Sequence, residues 1–235
     1  MVGRLRFTKM SGWQSVTLAP EQLGGITVLT AAVKSGPRTS PRRLKNAGKK
    51  LQRAGVTQLL VPSDFTDWAS LAPYGLRPVP TENLLQALAA EIALSYLKKA
   101  GISMDKAVVV LRGETITAPL YAAAHRLSAC LRYLSVETAG GSDALARSLW
   151  LEHGVALGPP GNRRDLTLSF SPEKVPLPAG TIPLYDSPSA PCPVTLCVPF
   201  FTLPKDCERL PFLALLWDWG KLKPRDVEVI VTETA

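Results

Sequence analysis

Cysteine, histidine and long apolar runs are all scarce in this chain. Four cysteines among 235 residues are too few for a disulfide scaffold, so a reducing compartment is expected. No apolar run approaches the roughly 18 residues that cross a bilayer, and no membrane partner is expected. The opening Met1-Val2-Gly3-Arg4-Leu5-Arg6-Phe7 lacks an apolar core followed by a small-residue cleavage site, which points to a cytoplasmic protein. Disorder is excluded by 46% hydrophobic and 20% charged residues, an ordinary globular balance. Catalytic signatures are missing too. No G-x-S-x-G elbow, phosphate loop or kinase set occurs, so no catalytic constellation is expected. Only two histidines exist, His125 and His153, and neither has a His-Glu-x-x-His spacing; both read as structural and no metal site is expected. Cys192, Cys197 and Cys207 lack a fourth partner in zinc spacing and read as buried thiols, while Cys130 reads as core.

What is present is a local excess of positive charge. Residues 1–63 hold eleven Lys/Arg and one acid, for +10; the rest hold sixteen and eighteen, for −2, and the two sum to the net +8. From Lys34 to Arg53 there are eight cations and no acid. Within it, Ser40 suits an N-cap, Pro41 the first helical position and Gly55 the C-terminal stop, so a helix is predicted over 41–54. Leu44, Ala47, Leu51 and Ala54 share its apolar face. Its cations fit a solvated surface helix, with long stems covering apolar neighbours. They also fit an anion site formed by Arg38, Arg42, Arg43, Lys49 and Lys50, for an anionic ligand or, through residues 38–53, a nucleic acid. No aromatic interleaves with them, which favours the surface helix.

One pattern recurs four times: an amphipathic helix, a glycine, then a β-rich run. The glycines are Gly55, Gly101, Gly154 and Gly220. A glycine after a helix accepts the left-handed conformation that turns the chain into a strand. Apolar strands such as Val108-Val109-Val110-Leu111 suit a sheet covered on both sides. The expected class is therefore α/β with a mainly parallel sheet and helices on both faces. Strands are predicted near 2–9, 13–19, 26–33, 56–61, 106–111, 132–137, 155–157, 166–170, 182–186, 194–199 and 226–232. The first two would form a hairpin around Met10-Ser11-Gly12. Helices are predicted over 81–99, capped by Thr81, and near 117–131, 142–153 and 211–219. Residues 62–80 and much of 171–211 read as loop. Trp217 and Trp219 flank Asp218 and suit packing on the domain or on a second copy, making a homo-oligomer one partner.

The turn after the strand at 106–111 reads Gly113-Glu114-Thr115-Ile116-Thr117-Ala118, against a fingerprint of G-x-G-x-x-G/A. Gly113 and Ala118 match its outer positions, and Thr115 stands where the middle glycine would admit a pyrophosphate. Glu137 ends the next strand, near where an acid would meet a ribose hydroxyl. Over residues 82–171 this resembles a Rossmann-type dinucleotide-binding domain of shikimate-dehydrogenase style, in which a smaller α/β lobe precedes the nucleotide lobe. The resemblance implies an N-terminal lobe over 1–80, a linking helix over 81–99 and a Rossmann-like lobe over 100–235. It implies NAD or NADP at Gly113, Thr115, Ala118 and Glu137, with Asp165 on a later strand near the cofactor. Two classes follow. One is a non-catalytic protein holding a small ligand in a degenerate nucleotide site; the other is an NAD(P)-dependent oxidoreductase with an atypical phosphate turn.

Overall fold

A computed structural model describes residues 1–9, 15–34, 41–158, 163–172, 177–186, 192–199, 204 and 206–231. It divides into two compact units, Met1–Pro80 with Val198–Lys223, and Thr81–Cys197 with Pro224–Ala235. The Met10-Ser11-Gly12 turn, Ser40 and Arg38 lie outside the described residues.

The first unit is built on a five-stranded sheet. Its strands are β1 (Val2–Thr8), β2 (Val16–Leu23), β3 (Ile26–Lys34), β4 (Gln58–Leu60) and β5 (Arg77–Pro78), in the order β2-β3-β1-β4-β5. The hairpin expected between the first two strands does not form. Instead β1 lies in the middle, parallel to β3 and β4, because Val2, Gly3, Arg4 and Leu5 are all buried and need neighbours on both sides. The hairpin joins β2 to β3 through Gly24 and Gly25, whose φ values of 57° and 78° suit a two-residue turn. The outer strands β2 and β5 each carry a proline, Pro20 and Pro78.

Helix α1 (Pro41–Arg53) returns the chain from β3 to β4. It starts at the proline and stops before Gly55, as its local signals predict. Leu44, Ala47 and Leu51 are fully buried in a core shared with Leu5, Val33 and Leu59. Each buried leucine contributes about 1.5–3 kcal/mol. Gly48 is buried as well, and a Cβ there would come 2.5 Å from Cδ2 of Tyr74. Residues 62–80 are more ordered than a loop, with 3-10 turns at Trp68–Ser70 and Ala72–Tyr74.

The second unit has a Rossmann-like build. Strands β6 (Val108–Arg112), β7 (Tyr133–Glu137), β8 (Leu166–Ser169) and β9 (Thr181–Pro183) form an all-parallel sheet in the order β7-β6-β8-β9. Helices α4 (Ala118–Ser128) and α5 (Ser142–His153) make the connections β6-α4-β7-α5-β8. The segment predicted as one helix over 81–99 is two, α2 (Glu82–Ala87) and α3 (Ala89–Lys99), broken at Leu88. Leu84, Leu85, Leu88, Ala89, Ile92 and Ala93 are all buried and cover half of its girth, and at Leu88 (φ −96°, ψ 12°) the backbone leaves helical geometry. Thr81 does not cap it; its hydroxyl bonds Asp186.

One expected strand does not form, and another forms as expected but outside the parallel sheet. Residues 155–157 form no strand; the chain there is half-exposed, and Gly158 N donates to Leu134 O at 3.1 Å. The last strand, β11 (Glu228–Val231), pairs antiparallel with β10 (Val194–Cys197) in a separate two-stranded sheet. Cys130 is exposed rather than core, because α4 ends at Ser128. Helix α6 (Arg209–Asp218) belongs to the first unit, where Glu208 N donates to Val61 O at 2.9 Å. Among the described residues no helix is long and apolar enough to cross a membrane.

Candidate functional site

In open parallel sheets the loops diverge where strand order reverses, leaving a crevice beyond the strand carboxyl ends. In the second unit that point is β6, which is followed in the chain by β7 on one side and flanked by β8 on the other. An open hollow of about 490 Å³ lies there, lined by Arg112, Gly113, Glu114, Val136, Glu137, Thr138 and Ala139. Gly113 and Glu137 are thus brought together, and Gly113 N donates to Glu137 O at 3.0 Å. Thr115 and Ala118 do not line the hollow: Thr115 is exposed on the turn and Ala118 opens α4.

Glu137 is held by two arginines. Its Oε2 accepts from Arg112 Nε at 2.7 Å and lies 2.6 Å from Arg112 Nη2, while Oε1 lies 3.0 Å from Arg164 Nη2. Charge-assisted contacts of this kind are roughly twice as strong as neutral ones. The turn's own amides are also engaged. Glu114 N donates to Ser171 Oγ at 3.0 Å, and Glu114 O accepts from Ala139 N at 3.2 Å. Thr117 caps α4 by accepting from Leu120 N at 3.4 Å, and Pro119 has no amide to offer. Gly113 has a packing reason of its own, since a Cβ would stand 3.1 Å from Leu120 Cδ1 and 3.3 Å from Thr115 O. Asp165 sits at the other end of the sheet, where its carboxylate accepts from Val108 N at 2.8 Å at the start of β6. It ties strands together rather than facing the crevice.

The basic helix divides into two sets. Arg43 Nη1 donates to Lys34 O at 2.9 Å and Lys50 Nζ to Val16 O at 2.7 Å, so these two hold the ends of β3 and β2. Arg42 and Lys49 are exposed, as are Lys45 and Arg53. At 100° per residue these four fall within about 80° of one another on a stripe about 16 Å long. A second hollow in this unit, of about 310 Å³, is lined by Phe7, Leu44, Asp64, Phe65, Thr66 and Asp67. Sequence patterns missed it because 62–80 carries no periodicity. Asp67 has a structural task there, capping a 3-10 turn through Ser70 N at 3.2 Å.

The two histidines, which pattern alone leaves apart, meet. His125 on α4 and His153 at the end of α5 place ring nitrogens 3.3 Å from each other. The only sequence signal was the β-α-β-α order that makes α4 and α5 neighbours.

No protein-family model matches the chain, and no curated protein does. Among solved structures, a shikimate 5-dehydrogenase-like protein aligns over 72% of this chain at 12% identity, with a TM-score of 0.25. The aligned part spans 65% of that protein's length. A likeness this distant carries no argument about the site.

Proposed function

We propose that this is a binding protein for a small anion, without dinucleotide chemistry, and that its site is the crevice at the ends of β6 and β7. The observation that carries this reading is Glu137 bridged by Arg112 and Arg164. An acid so paired keeps one open acceptor site, on Oε1, and a ribose hydroxyl there would compete with Arg164. The same two guanidinium groups offer charged donors that a carboxylate or phosphate can take up when Glu137 gives way. The engaged amides of Gly113 and Glu114 add support, because a pyrophosphate would find few free donors on that turn.

Thermal-shift titration tests it with NAD(H), NADP(H), inorganic phosphate and AMP. The small anions should raise Tm, and Glu137→Gln should tighten them about tenfold by removing the internal competitor. Stabilisation near 2.7 kcal/mol by a dinucleotide at a hundred times its Kd would instead favour the oxidoreductase reading, with NAD or NADP as cofactor. No response to either anion, in both wild type and Glu137→Gln, would overturn the proposal as well.

A second reading concerns the exposed stripe of Arg42, Lys45, Lys49 and Arg53. Arg42 sits in the first turn of α1, where a cation opposes the helix dipole by about 0.3–1 kcal/mol. A phosphate-bearing partner such as a nucleic acid would offset that cost.

A further inference from the structure

We propose that His125, Glu152 and His153 form a binding site for a divalent transition-metal ion of the zinc class, clamping α4 to the last turn of α5. His125 Nδ1 lies 3.3 Å from Glu152 Oε2 and 3.3 Å from His153 Nε2. All three candidate ligand atoms fall within 4.8 Å of one another. Zinc bonds of about 2.0–2.1 Å at tetrahedral angles put neighbouring ligands about 3.3–3.4 Å apart. Two edges of the cluster already have that length.

The hydrogen-bond arithmetic around the cluster points the same way. Ser148 Oγ donates to Glu152 Oε1 at 2.8 Å, and its lone pairs face Tyr121 OH at 2.8 Å and His125 Nε2 at 3.3 Å. Ser148 has one proton to give. With that proton on Glu152, its two acceptor sites take the Tyr121 hydroxyl proton and the His125 Nε2 proton. A neutral His125 protonated at Nε2 presents a bare lone pair at Nδ1. That lone pair faces the Glu152 carboxylate and His153 Nε2 together. A proton on His125 Nδ1 serves the Glu152 carboxylate or His153 Nε2 but not both, and one on His153 leaves the carboxylate oxygen against a lone pair. A dication satisfies all three at once. The serine then orients both His125 and Glu152 from behind, the arrangement that outer-shell partners of metal ligands adopt. Tyr121 adds a wall, its ring centroid 4.4 Å from that of His125.

Two imidazoles select a borderline transition metal over Mg²⁺ or Ca²⁺, which prefer all-oxygen sites. Three protein ligands leave a fourth position for water or a small anion. The site differs from the crevice anion site in residues and chemistry, so neither proposal depends on the other.

The test is calorimetric titration of the untagged, reduced full chain with Zn²⁺, alongside visible spectroscopy with Co²⁺. We expect one saturable Zn²⁺ per chain, a rise in Tm, and cobalt bands of a four-coordinate site. His153→Ala, at the end of α5 where the fold tolerates it, should abolish all three while leaving the metal-free Tm nearly unchanged. Ser148→Ala should weaken binding about 10–100-fold. Mg²⁺ should give no Tm rise. Absence of saturable Zn²⁺ binding in the wild type, or full retention of it in His153→Ala, would overturn the proposal.

Discussion

Arg4 donates from Nη1 to Glu21 Oε2 at 2.9 Å, reaching from β1 across β3 to β2. Its other arm bonds Asp206, and Thr30 Oγ1 donates to the same Glu21 oxygen at 2.7 Å. The guanidinium is only 2% accessible, whereas the carboxylates are 32% and 41% accessible. The partners therefore differ in what losing the other would cost.

Arg4→Met should be tolerated within about 1 kcal/mol, because two half-exposed carboxylates regain water while an apolar chain fills the space. Removing both acids, in Glu21→Ala with Asp206→Ala, strands a buried cation and should cost about 3–5 kcal/mol. Urea denaturation of the three proteins measures the asymmetry. A double variant more stable than Arg4→Met would refute it.

Gly48→Ala sets two effects against each other. Alanine improves helix propensity by about 1 kcal/mol. Its methyl group would stand 2.5 Å from Tyr74 Cδ2 and 3.1 Å from Cγ, too near the root of the ring to swing aside. Overpacking costs about 1–3 kcal/mol, so a net loss near 1 kcal/mol is expected, recovered in Gly48→Ala with Tyr74→Leu. Stabilisation by the single change would show that the ring moves freely.

The neighbouring Lys49 and Lys50 should behave differently. Lys50→Gln removes the bond to Val16 O and should lower stability by about 0.5–1.5 kcal/mol. Lys49→Gln should leave stability unchanged. If the exposed stripe binds a nucleic acid, replacing Arg42, Lys45, Lys49 and Arg53 together should flatten log K against log salt by about 0.7–0.9 per lost phosphate contact. Filter binding at several salt concentrations reads the slope, and an unchanged slope removes the stripe from consideration.

Burial pushes the Cys192 thiol up to about 12, from 9.0. A thiol whose folded pKa is raised contributes nothing adverse below pH 9, and destabilises the fold as pH climbs from 9 towards 12, where only the unfolded chain ionises. Cys192→Ser should remove part of this alkaline loss, followed by thermal melts between pH 8 and 11. At pH 8 a disulfide reagent should modify the exposed Cys130 first. Equal rates at Cys130 and Cys192 would contradict the burial argument.

Local signals carried most of the elements. Pro41 and Gly55 bracket α1, and Gly154, with φ of 66°, ends α5. What they could not carry was partnership. Nothing local to 2–8 says that β1 sits between β3 and β4, since that follows from burial on both sides. The crevice shows the same division. Glu137 was legible from its distance beyond Gly113, but Arg112 and Arg164 reach it from other strands' ends, and their pairing redefines what the acid can do. His125 and His153 are 28 residues apart, on helices that only the crossover topology makes adjacent.

The prolines on β2 and β5 have a consequence for behaviour at high concentration. A sheet margin recruits a neighbouring chain by offering a row of free amides and carbonyls, the template from which fibrils grow. Pro20 deprives one margin of a donor, and the other is two residues long and half proline. Both borders of the five-stranded sheet are thus poor seeds for strand addition, which shields its apolar interior from cross-β polymerisation.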